Sequence, residues 1–205
     1  MTKLKNRLSR HFAVAAVATA AVTSADASVV YSGVVNHYLP DTVNGLYLNV
    51  VTGQINRTSQ GGSSVPGWDL NLWSPHGLGI YGNSQHPGTS GVLLVASETA
   101  ANLGLDEVID AGGGFGDNTS YNTAQWNLGS EDNLFGFRFH NEATGAVHYG
   151  WGRLGFGATI FDRYLVEYAY ESRPGVGIAA GSLVPAPSAL AMLGLGGVVA
   201  GRRRR

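Results

Sequence analysis

The sequence predicts an all-β fold for residues 28–181: an antiparallel β-sandwich or jelly roll, with a closed barrel as the alternative. Three observations carry that expectation. Apolar residues recur with a period of two in short runs, the pattern of a strand with one buried face. Gly, Pro, Asn and Asp punctuate those runs, with almost no helical periodicity between them. Glycine supplies 26 of residues 28–181, more than double the usual share of about 7%. Short strands in series bury their apolar faces by stacking antiparallel sheets.

Residues 28–36 (SVVYSGVVN) and 46–51 (LYLNVV) read as strands, the second closed by a Thr52-Gly53 turn. In residues 68–73 (WDLNLW), Trp68, Leu70 and Leu72 fall on one face and Asp69, Asn71 and Trp73 on the other. Residues 91–96 (GVLLVA) read as a buried strand. Residues 97–105 (SETAANLGL) have room for one helical turn, capped by Ser97 and ended by Gly104. Residues 121–128 (YNTAQWNL) are ambiguous between strand and loop.

The strongest signal runs over residues 133–157. Phe135, Phe137 and Phe139 share one face, and Gly136, Arg138 and His140 the other. A loop over 141–145 ends in Gly145, where a positive φ is wanted. Val147, Tyr149 and Trp151 then alternate with His148, Gly150 and Gly152, which makes the segment a β-hairpin. Residues 164–171 (YLVEYAYE) and 176–180 (VGIAA) add the last strands. Gly136, Gly150, Gly152 and Gly155 lie inside strands, where a missing side chain leaves room for large rings across the sheet.

Charge is partitioned along the chain. The overall formal charge is −1 and charged residues make up 13%. Residues 28–181 hold five Arg, no Lys, seven Asp and six Glu, a formal charge of −8. An acidic body without a basic stripe excludes nucleic acid as a partner, because phosphate neutralisation needs clustered cations. There is no cysteine, so an exported fold stands without disulfides or thiolate metal sites.

The two ends carry the basic residues. Residues 1–27 place Lys3, Lys5, Arg7 and Arg10 before an apolar run from Phe12 to Val22, followed by Ala25-Asp26-Ala27. These are the three parts of a secretory signal, and they imply the Sec translocon and a signal peptidase that cuts between Ala27 and Ser28. At the other end, residues 189–201 are apolar or glycine throughout. As a helix they span roughly 20 Å, against about 30 Å of hydrocarbon. Pro185 and Pro187 stop the helix from extending backward. Arg202, Arg203, Arg204 and Arg205 would hold its end on the cytoplasmic side of the inner membrane.

The tripartite tail over residues 182–205 resembles the PEP-CTERM sorting signal of exported bacterial proteins. Val184-Pro185-Ala186-Pro187-Ser188 stands where that family shows V-P-E-P-S, with Ala186 in the place of its glutamate. The resemblance implies processing by an exosortase, a membrane-embedded cysteine protease of transpeptidase type, and a route to the cell surface or extracellular matrix. Tyr149-Gly150-Trp151 followed by Ala169-Tyr170-Glu171 also resembles a "YGW … AYE" segment of such proteins. It carries no catalytic residue.

Motifs for chemistry are sparse. None of H-E-x-x-H, G-x-S-x-G or a Walker loop occurs. His140 and His148 flank the hairpin loop and, with Glu142, make half a metal site or two solvent-face histidines. Asp106, Asp110 and Asp117 surround the glycine run at 112–116, and Glu131 and Asp132 precede the hairpin. They are solvated turn acids or a site for calcium, the one cofactor the composition suggests. The glycine run itself reads as a turn. Trp73, on a face with Asp69 and Asn71, is either a second core-filling ring or a platform for a polysaccharide, whose sugars stack on aromatic rings. The expectation is a non-enzymatic structural or adhesive protein that binds glycan. The alternative is a secreted polysaccharide hydrolase, which requires two carboxylates about 5–9 Å apart across a cleft.

Overall fold

The computed structural model describes residues 28–56, 60–117 and 124–183. The expected signal segment through Ala27 and the expected sorting tail from Val184 onward lie outside the described residues. Among those described, the chain is built of antiparallel strands, with a single 3-10 turn at Gly62–Ser64. No helix there is long and apolar enough to cross a membrane.

The hairpin organises everything else. Its strands, β10 (Asn133–Asn141) and β11 (Ala146–Phe156), pair Phe137 with Gly150 and Phe135 with Gly152. A Cβ added at Gly150 or Gly152 would stand 2.4 Å from a ring atom of Phe137 or Phe135. Gly150 and Gly152 are therefore ring sockets, as the alternation implies, whereas Gly136 and Gly155 are not: a Cβ there would meet Ile109 and Leu103, or Glu131 and Val166. At the tip, Gly145 has φ +71° and the Asn141 carbonyl accepts from Thr144 and Gly145 N–H.

Strand β12 (Arg163–Glu171) pairs with β11, and β1 (Val29–Tyr31) and β2 (His37–Tyr38) both pair with β12. On the other side, β6 (Gly91–Ala96) joins β10 and carries β7 (Thr99–Ala100) and β9 (Phe115–Gly116), completing an eight-stranded sheet. Register shifts between Arg153 and Leu154, so Val166 is an extra residue on β12. That bulge lets Leu165 and Tyr168, three residues apart, both enter the same core. A second sheet, β3 (Leu46–Leu48), β4 (Leu70–Trp73) and β5 (Gly79–Gly82), has three strands. A short pair joins β8 (Val108–Ile109) to β13 (Ile178–Ala179).

Both faces of the hairpin are covered. Phe135, Phe137, Phe139, Leu165 and Tyr168 pack with Leu46, Leu48, Leu70, Leu72 and Ile80 of the three-stranded sheet. On the reverse face Tyr149, Trp151 and Ala169 pack with Ile109, Ile178 and Ala180.

Several sequence expectations need correction. Residues 97–105 form no helical turn: Ser97 and Glu98, the latter at φ +63°, make the turn into β7 instead. Backbone pairing with β6 satisfies groups that a short, poorly nucleated helix would leave open. Part of the glycine run is a strand, because Phe115-Gly116 pairs with Val92-Leu93. Residues 28–36 do not run as one strand, since Gly33 (φ +71°) and Asn36 (φ +47°) break it. Residues 124–128 contain no strand, and 121–123 lie outside the described residues. Strand β5 has no counterpart in the sequence reading.

Candidate functional site

The three-stranded sheet places a row of aromatic side chains on its outward face. Register aligns Leu46, Leu72 and Ile80 toward the core, so the neighbouring set Tyr47, Asn71 and Tyr81 points the other way. Trp73 follows on β4, its ring 5.7 Å from that of Tyr81 at 49°. Trp68 packs edge-on against Tyr47, with centroids 5.0 Å apart and planes at 79°. All four rings are half-buried. With Val43, Ser84 and the exposed Asp117 they line a cleft of about 270 Å³.

Buried asparagines hold this row in place. Asn71 Nδ2 donates to the carbonyls of Asn44 (2.9 Å) and Leu46 (3.3 Å), tying β4 to the approach of β3. Asn49 Nδ2 donates to the carbonyls of Pro66 and Gly67, which fixes the turn delivering Trp68. Asn83 Nδ2 donates to the Trp68 carbonyl at 2.7 Å. Each replaces a strand ladder bond that this irregular stretch cannot make.

The cleft both uses and revises the sequence-derived set. Trp73 and Asn71 belong to it. Trp68 joins them, although alternation sets it with Leu70 and Leu72. It precedes the first residue of β4, in a turn with Gly67 at φ +62°, so the period-two rule does not reach it. Asp69 does not line the cleft: it is 2% exposed and its Oδ2 accepts from Val50 N–H at 2.7 Å. Burial pushes its carboxyl up to about 8, with the Val50 N–H bond opposing and Glu142 adding to the rise.

The five acids proposed for calcium are dispersed. Asp106 sits in a turn at φ +64°. Asp110 Oδ1 accepts from Gly112 N–H at 2.8 Å, and Asp117 Oδ1 accepts from Gly82 N–H at 2.9 Å. Glu131 lies over Gly155, and Asp132 is 3.7 Å from Arg153. Among the described residues, no three His, Asp or Glu side chains gather as metal ligands. Nor are His140 and His148 partners. His148 pairs with Phe139 and His140 with Val147, so the two point to opposite faces. His148 is buried and stacked on Phe139, with Nδ1 2.9 Å from the Glu171 carbonyl oxygen. The neighbour of His140 is His86, stacked at 4.1 Å, with Glu142 3.7 Å from His86 Nε2.

Sequence reasoning missed Tyr47 and Tyr81 as site residues. The available signal was the cross-strand register of three short strands, which becomes readable only once β5 is known. Compared with family models, curated proteins and solved structures, the chain finds no match.

Proposed function

We propose that this chain is an exported bacterial protein of the cell surface or extracellular matrix, structural or adhesive in role, which binds polysaccharide through the aromatic cleft. Its domain is a sandwich of the three-stranded sheet on the eight-stranded one. One observation carries the binding reading: the rings of Tyr47, Trp68, Trp73 and Tyr81 form a row on a sheet face whose opposite side already supplies the core. Rings kept half in water on a rigid sheet offer apolar surface to sugar C–H groups, while Ser84 and Asp117 offer hydrogen bonds to hydroxyls. Binding rather than hydrolysis is the reading this cleft supports, because Asp117 is the one carboxylate among its described lining residues.

Delivery rests on the sequence ends. Signal peptidase would release Ser28, whose carbonyl and hydroxyl are hydrogen-bonded to Ser172 within the domain. An exosortase-like enzyme would then act at residues 184–188, with Arg202–Arg205 holding the tail at the inner membrane.

A glycan array with the full chain in detergent, with and without calcium, tests the binding. Trp73→Ala is expected to weaken binding about tenfold, as removing one stacking ring removes on the order of 1 kcal/mol. Undiminished binding by both Trp73→Ala and Tyr81→Ala would overturn the cleft as the site.

A further inference from the structure

A second cleft of about 280 Å³ opens beside the aromatic one and shares Gly82, Ser84 and Asp117 with it. Arg138, Phe115 and Ser90 also line it. Arg138 projects from β10 opposite Gly91, and its guanidinium carbon lies 4.7 Å from the centre of the Phe115 ring.

The arginines of the described residues divide sharply by partner. Arg153 pairs with Glu167 at 2.7 Å and Asp132 at 3.7 Å, and Arg173 pairs with Glu171 at 3.2 Å. Arg163 donates to backbone carbonyls. Arg138 has only the ring: among the described residues no carboxylate pairs with it, and its Nε is buried without a hydrogen-bond partner. Ser90 Oγ, in the same cleft, is likewise buried and unpartnered. Two of the seven unpartnered buried polar atoms among the described residues thus belong to side chains that line one small cavity. Buried donors without acceptors are costly, and where they collect beside a cleft a ligand can supply what the fold does not.

We propose that this cleft is the subsite for a carboxylate-bearing saccharide unit, of the uronic acid class, within a polysaccharide lying along the aromatic row. The inference rests on the glycan-binding reading above. A guanidinium held over an aromatic ring keeps N–H groups as a fork that matches a carboxylate. Ser90 O–H supplies a further donor. The exposed Asp117, between the clefts, accepts from sugar hydroxyls and repels a second acid. Together with the formal charge of −8 over residues 28–181, it selects a chain with isolated acidic units over a densely charged polyanion.

The test uses the full chain in detergent and two probes, a trisaccharide with a single glucuronate unit and the methyl ester of that unit, which differ in charge and by one methyl group. The Arg138 Nε–H resonance reports the subsite directly, and a binding isotherm reports affinity. Wild-type protein is expected to favour the acid over the ester about tenfold, with the Nε–H resonance moving for the acid alone. Arg138→Gln should bind acid and ester equally, while Trp73→Ala should weaken both and keep the preference. Equal affinity of the wild type for acid and ester, or a preference that survives Arg138→Gln, overturns the subsite while glycan binding stands. A resonance that responds to the acid with no contribution from Trp73 sustains the subsite and overturns the aromatic cleft. A silent resonance with no binding of either probe overturns the subsite.

Discussion

Arg163→Met is expected to remove a large part of the stability of the domain. Arg163 is 0% exposed and donates to four backbone carbonyls. These are Leu39 (3.2 Å), Pro40 (3.1 Å), Ser74 (2.8 Å) and Gly77. The side chain thus ties β12 to the segment after β2 and to the turn between β4 and β5, which carries the aromatic row. Burial pushes its pKa down, with Asp41 and Tyr38 pulling it back up, and guanidinium remains charged under all ordinary conditions. Methionine fills similar volume but donates nothing. Each orphaned buried carbonyl costs about 1–3 kcal/mol, and relief of the buried charge and local water entry return part of the sum. A net loss of about 3–5 kcal/mol follows, the usual range for breaking a buried charged network. A domain of this size has about 5–15 kcal/mol in total. With a urea slope of about 2 kcal/mol/M, the midpoint should fall by about 2 M in unfolding followed by tryptophan fluorescence. Arg163→Lys, whose ammonium has three donors, should lose less. A midpoint for Arg163→Met within about 0.5 M of wild type would refute the reasoning.

Other outcomes can be checked independently. Gly150→Val places a Cβ 2.4 Å from Phe137 and 2.6 Å from the Ala169 carbonyl oxygen. Because backbone cannot retreat as a ring can, a loss of about 3 kcal/mol or more should appear in thermal unfolding, and Phe137→Leu should restore only part of it. Asp69 has a folded pKa of about 8, above its unfolded value. Its contribution to stability is therefore complete below about pH 4 and lost as pH rises toward 8, with a slope of up to about 1.4 kcal/mol per pH unit. Asp69→Asn, which keeps an acceptor for Val50 N–H, should flatten that dependence, and an unchanged pH profile would count against the buried acid. Mass spectrometry of surface-extracted protein should find the chain cut near residues 184–188, whereas an intact Arg205 would exclude exosortase processing.

Legibility tracked the length and regularity of each element. The hairpin was plain because its two long strands alternate without interruption, and the same pattern located the glycine sockets. The two-residue strands β7, β8 and β9 were invisible, since two residues carry no period and exist only through partners distant in sequence. Strand β5 was missed for a related reason: Gly79 and Gly82 at its ends offer no side-chain pattern. Trp68 misled because alternation was carried past the start of β4 into a turn. Asp69 misled because its carboxylate serves the backbone of Val50 rather than the face its position suggests.

By itself the sequence determined that residues 28–181 are all-β and which faces of the central hairpin would carry rings. Those properties are local: periodicity, composition and short motifs decide them within a few residues. The tertiary structure alone decided that Trp73, Asn71, Tyr47, Tyr81 and Trp68 share one cleft. It also separated His140 from His148, dispersed the acids, and left Arg138 on Phe115 with no carboxylate partner among the described residues. These depend on register between strands, where a shift of one residue turns a side chain to the other face. Register is fixed by the packing of the whole core, which no local pattern specifies.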